Sequence, residues 1–92
     1  MTYNIRHKLK ANKNMHKDYI NNLVNTFATH WIEYHNNAYG WNCDGCEIMK
    51  QDSRGVVSIC LLEGSRHVNQ EFAGNTAKEM IAFMRSFIVS KK

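Results

Sequence analysis

Proline is missing from this chain altogether, and only five of its 92 residues are glycine. No proline-rich linker separates one unit from another, and no glycine-rich loop of the phosphate-cradling type follows a strand. No apolar run approaches the roughly 18–20 residues that cross a bilayer, and the first residues lack the hydrophobic stretch of a secretory leader. Cysteine is scarce too: three residues, an odd number, suit a reducing compartment better than a disulfide framework. These absences lead to the expectation of one cytoplasmic domain. Size agrees, because a chain this short buries roughly 60–65% of its unfolded surface, enough for one small core.

Acid is absent from the N-terminus. Residues 1–17 contain Arg6, Lys8, Lys10, Lys13 and Lys17 and no Asp or Glu. The other 75 residues hold seven basic and eight acidic side chains, so the net charge of +4 arises entirely from the first 17. An unopposed basic segment attracts polyanions through long-range, salt-sensitive forces. Lysines at 8, 10, 13 and 17 keep to no single helical face, which predicts a basic, partly flexible arm over 1–14 ahead of a single α+β domain over 15–92.

Within that domain the apolar residues change period. Met15, Tyr19, Ile20, Leu23, Val24, Phe27, Trp31 and Tyr34 recur at gaps of mostly three and four, the spacing of an amphipathic helix. Asn12 and Asn14 can cap its start, and Asn36 to Gly40 offers its stop. Beyond Gly40 the pattern predicts strands at Cys46–Gln51, Val56–Leu62 and Arg66–Phe72. Val56–Leu62 is apolar on both faces and so is expected at the centre of the sheet. Gly64-Ser65 fits a two-residue hairpin loop. In the third strand Val68 and Phe72 are expected to face the core, with His67, Asn69 and Glu71 facing away. Thr76-Ala77-Lys78-Glu79 is a capping box, and Ala77, Met80, Ile81, Met84, Phe87 and Ile88 form a second helical stripe. The expected fold is α+β: helix–strand–strand–strand–helix, a three-stranded antiparallel meander with both helices packed on one face.

This order resembles that of double-stranded-RNA-binding domains over residues 15–90. The local likeness runs from Gly64-Ser65-Arg66-His67-Val68 through Phe72-Ala73-Gly74-Asn75-Thr76-Ala77-Lys78, where a turn with glycine precedes a strand that opens a capped helix with lysine in its first turn. The resemblance implies RNA as partner, with Lys78, at the start of the last helix, as a phosphate contact. That family carries several lysines at the start of its last helix, where this chain has Lys78 beside Glu79. It also uses a Gly-Pro-x-His loop between its first two strands, where this chain has Gln51-Asp52-Ser53-Arg54-Gly55. The arm must then supply most of any nucleic-acid affinity, or the target is another protein. The asparagine- and lysine-rich, proline-free composition is also similar to that of small phage accessory proteins, many of which inhibit a host or defence protein.

Other constellations have two interpretations each. Cys43-Asp44-Gly45-Cys46 places two thiols at a spacing that can serve one zinc, with Cys60, His67, His35 or His30 to complete the site, or else it is a pair of unremarkable thiols at a strand start. Trp31, Tyr34, Tyr39 and Trp41 form either a base-stacking or protein-docking surface or an aromatic hinge between helix and sheet. His30 sits on the apolar stripe as a core-edge residue. No acid pair, nucleophile elbow or His-paired nucleophile suggests catalysis.

Two functions follow as expectations. The first is a non-enzymatic module that binds nucleic acid, structured RNA above all, through Arg6, Lys8, Lys10, Lys13 and Lys17, with Arg54 and Lys78 as secondary contacts. The second is a phage-type inhibitor or adaptor that docks on a host or defence protein through its sheet face and aromatics. Open sheet edges would allow a homodimer in either case.

Overall fold

The computed structural model describes residues 3–7, 17–50, 57–74 and 76–90. Its elements, in chain order, are β1 (Asn4–His7), α1 (Lys17–Tyr39), β2 (Gly45–Lys50), β3 (Val57–Glu63), β4 (Arg66–Gly74) and α2 (Ala77–Ser90). The strands form one four-stranded mixed sheet in the order β1-β2-β3-β4. The expected antiparallel meander is the β2-β3-β4 part of it. The correction lies at the N-terminus: Asn4–His7, inside the segment assigned to a basic arm, pairs in parallel with β2, Ile5 opposite Cys46 and Arg6 opposite Glu47. Residues 4–7 of that segment are therefore part of the sheet, while 8–14 lie outside the described residues, and β1-α1-β2 is a crossover unit in which α1 returns the chain between two parallel strands.

Local signals account for most boundaries. Helix α1 stops where Gly40 takes a φ of 70° and its N–H bonds the Asn36 carbonyl at 2.9 Å, the left-handed cap that glycine adopts without steric cost. Gly64 has a φ of 64° at the first central position of the β3–β4 hairpin, as a type II′ turn requires. At the start of α2 the Glu79 N–H donates to Thr76 Oγ1 at 3.1 Å. The Glu79 carboxylate accepts from the Thr76 hydroxyl rather than from the backbone of the cap residue. The turn from β4 into α2 is tight at Gly74, where a Cβ would stand 3.0 Å from that of Glu79.

Both helices lie over one face of the sheet. Val24, Phe27, Ala28, Trp31 and Ile32 of α1 and Met80, Ile81 and Met84 of α2 join Cys46, Ile48, Val57, Ile59 and Leu61 in one buried cluster. Each large aliphatic or aromatic side chain buried there contributes about 1.5–3 kcal/mol relative to exposure. Aromatic rings join the helices: Phe27 meets Phe83 at 5.8 Å and Trp31 meets Phe87 at 5.0 Å. Strand β3 is central and buried from Val57 to Leu62, as its two apolar faces predict.

Two details differ from expectation. The buried stripe of α1 centres on Val24, Ala28, Ile32 and His35, while Tyr19 and Tyr34 stand at its exposed margins. In β4 a register shift leaves Val68 unpaired between Asn69 and His67. Such an extra residue breaks the two-residue alternation. Val68 still packs against the core, but Phe72 lies opposite Ser58 on the face away from the helices and is 66% exposed.

Candidate nucleic-acid interface

Strands β1, β2 and β4 run one way and β3 the other. Their ends at His7, Lys50 and Gly74 and the start of β3 at Val57 therefore share one pole of the molecule. Both helices begin at that pole. Helix α2 follows β4 directly, and α1, whose residues span about 34 Å at 1.5 Å each, ends at the opposite pole, where Asn36 is bonded to Cys43 just before β2. The connections 8–16 and 51–56 leave and rejoin the described body at this same pole. Lys8, Lys10, Lys13, Lys17, Lys50, Arg54 and Lys78 all fall on its ends or its connections, against the acids Asp18, Asp52 and Glu79. The N-termini of two helices add partial positive charge there.

Of the residues singled out in the sequence, Lys8, Lys10, Lys13 and Arg54 lie outside the described residues. Lys17 opens α1, and Lys78 is exposed in the first turn of α2. Arg6 is exposed on β1, level with Glu47 on the sheet face turned away from the helices. Lys50, missed as a site residue, joins this group only once the direction of β2 is known.

The aromatic cluster occupies the opposite pole. Trp31 is 4% exposed and belongs to the core, and its indole N–H has no hydrogen-bond partner among the described residues. His35, 4% exposed, accompanies it: its Nδ1 is 2.8 Å from the Trp31 carbonyl, so that nitrogen carries the proton, and its ring lies among Trp31, Tyr34, Tyr39 and Trp41. Tyr39 stacks on half-buried Trp41 at 4.8 Å and is 60% exposed, and Tyr34 is 40% exposed. The Asn36 side chain holds this end together. Its Oδ1 accepts from the Cys43 N–H at 2.9 Å and its Nδ2 donates to the Cys43 carbonyl at 3.0 Å. Asp44 then ties three strands: its N–H donates to the Leu62 carbonyl, its carbonyl accepts from the Asn4 N–H, and its Oδ1 accepts from the Gly64 N–H.

The thiols do not fit a zinc site. Cys43, Cys46 and Cys60 are free and buried, and no three His, Cys, Asp or Glu groups among the described residues converge as metal ligands. Cys46 faces the core opposite Leu61, whereas Cys60 lies opposite Glu47 on the other face. Burial pushes the Cys46 thiol up to about 12, with Cys60, Cys43 and Glu47 adding to the effect. Burial also raises Cys43, with help from Glu63 and Asp44 against Arg66. It raises Cys60 as well, a hydrogen bond from Ser58 opposing and Glu47 adding. All three are raised from the ordinary thiol value, so the thiol and not the nucleophilic thiolate prevails near neutrality. Above Cys60 and Leu62, His67 Nε2 reaches Glu47 Oε1 at 3.6 Å across the central strand.

No protein family, curated protein or solved structure matches this chain. Among the described residues no helix is long and apolar enough to cross a membrane.

Proposed function

We propose that this chain is a small non-enzymatic binding module whose partner is nucleic acid, RNA in particular, held by phosphate contacts from the basic pole. What supports this reading is that three lysines distant in sequence stand at element ends of one pole, and that the two lysine- and arginine-bearing connections outside the described residues start and finish there. Lys17, Lys50 and Lys78 sit at element ends there, and Lys8, Lys10, Lys13 and Arg54 lie in the two connections that meet the same end. The opposite pole carries Asp44, Glu63 and Arg66, and Lys91 and Lys92 follow the end of α2 there, a smaller excess of positive charge. Phosphate contacts of this kind set affinity and its salt dependence rather than base sequence. Because Asn4–His7 is a sheet strand, the test replaces the lysines instead of removing the segment. Lys8, Lys10 and Lys13 are changed together to Gln, and RNA binding is followed between about 50 and 200 mM salt. Loss of affinity that narrows as salt rises supports the proposal. Unchanged binding, or none by the unaltered chain at low salt, overturns it.

A second function, docking on a host or defence protein in the manner of a phage-type inhibitor, is favoured by one observation: the exposed Tyr39 ring stacked on Trp41, with Tyr34 beside His35. Exposed aromatics of this type anchor protein interfaces. Trp41→Ala discriminates the two, because it lies at the pole away from the lysines and leaves RNA binding unchanged if the basic pole is the site.

A further inference from the structure

We propose that Phe72 is a stacking platform for an unpaired nucleobase, so that the nucleic acid bound here presents single-stranded nucleotides to the sheet. This rests on the basic pole as a phosphate site. Phe72 is 66% exposed on the sheet face turned away from the helices, in the cross-strand row Met49–Ser58–Phe72. The adjoining row is Lys50–Val57–Gly74, the edge of the sheet at the basic pole. Phe72 therefore stands one cross-strand row in from the end of the sheet at which the phosphates are proposed to bind. Gln70, exposed two residues earlier on the same face, offers both a donor and an acceptor for a base edge.

The surroundings favour a base over a protein. Among the described residues the other exposed large hydrophobics, Tyr19, Tyr34, Tyr39 and Val89, all belong to the helices, and Phe72 has only half-buried Met49 in its cross-strand row. A protein interface buries a contiguous apolar centre. A nucleobase needs one ring, and any base supplies a π-face to it. A duplex keeps its bases stacked on one another, so the partner of an isolated ring is an unpaired nucleotide.

The experiment compares a labelled oligouridylate with an RNA duplex of equal length, by fluorescence anisotropy at low salt, for the unaltered chain, Phe72→Ala and Phe72→Trp. The expected result for Phe72→Ala is about tenfold weaker binding of the single strand, with less than twofold change on the duplex and an unchanged salt dependence. Phe72→Trp keeps the affinity, and its emission is quenched by the single strand beyond any change in the unaltered chain. Should Phe72→Ala fail to fold, the quenching decides alone. Equal single-strand affinity for Phe72→Ala, or no added quenching in Phe72→Trp, overturns the stacking role while salt-sensitive binding by the unaltered chain leaves the basic pole standing. Failure of the unaltered chain to bind either RNA overturns both.

Discussion

Replacing Asn36 with alanine cuts the last turn of α1 loose from the residues that lead into β2. The carboxamide makes two hydrogen bonds to the backbone of one residue, accepting from the Cys43 N–H at 2.9 Å and donating to its carbonyl at 3.0 Å. It does for Cys43 what a neighbouring strand would do. Cys43 is 3% exposed, so water does not readily replace the lost partner. Two such bonds, with the cost of leaving buried groups unpaired, amount to about 2–3 kcal/mol. In a domain of this size each kcal/mol lowers the Tm by roughly 4–8 °C, so thermal unfolding should move down by at least about 8 °C. Asn36→Asp separates geometry from chemistry. It keeps the acceptor for the Cys43 N–H but sets a carboxylate oxygen against the Cys43 carbonyl, and should be as damaging as alanine at neutral pH. Below about pH 4 the protonated acid regains a donor, and its stability should recover relative to Asn36→Ala. A shift under 2 °C for Asn36→Ala would refute the clamp.

Two further perturbations test the core. Phe27→Ala removes a fully buried ring that touches Trp31, Phe83 and Phe87, and should cost about 3–5 kcal/mol in urea unfolding; a loss below about 1 kcal/mol would contradict its place between the helices. Cys46 carries a pH signature. Its thiol is raised from an ordinary 9.0 to about 12 in the folded chain, so folding favours the proton-bound form. That contribution is complete below pH 9 and is lost at about 1.4 kcal/mol per unit as pH rises from there toward 12. The stability gap between the unaltered chain and Cys46→Ala should be constant below pH 9 and shrink above it. A gap that stays constant up to pH 11 would show the thiol free to ionise.

Much of the fold is legible in the sequence where the signal is local. Gly40, Gly64-Ser65 and the Thr76–Glu79 box mark their turns and caps by backbone chemistry alone, and the doubly apolar run of β3 marks a central strand. What escapes depends on distant partners. Strand β1 has one apolar residue, Ile5, and is defined by pairing with Cys46 some forty positions away. The phase of β4 is broken by the unpaired Val68, which no local rule announces, and Phe72 turns outward as a result. Tyr19 and Tyr34 draw the apparent stripe of α1 toward themselves because their rings are large, yet their hydroxyls keep them at its margin. His35 is buried through its position one turn after Trp31, whose carbonyl it bonds. The charge segregation is plain in the sequence, but the common end shared by Lys17, Lys50 and Lys78 exists only once strand directions are known.

The central claim, phosphate binding by the basic pole, is tested most directly by the slope of log affinity for single-stranded RNA against log salt. Each phosphate-bound lysine contributes about 0.7 to that slope. The unaltered chain should bind with a steep negative slope, and Lys8→Gln, Lys10→Gln and Lys13→Gln combined should make it shallower by about two units. A slope that the triple replacement leaves unchanged would contradict the account.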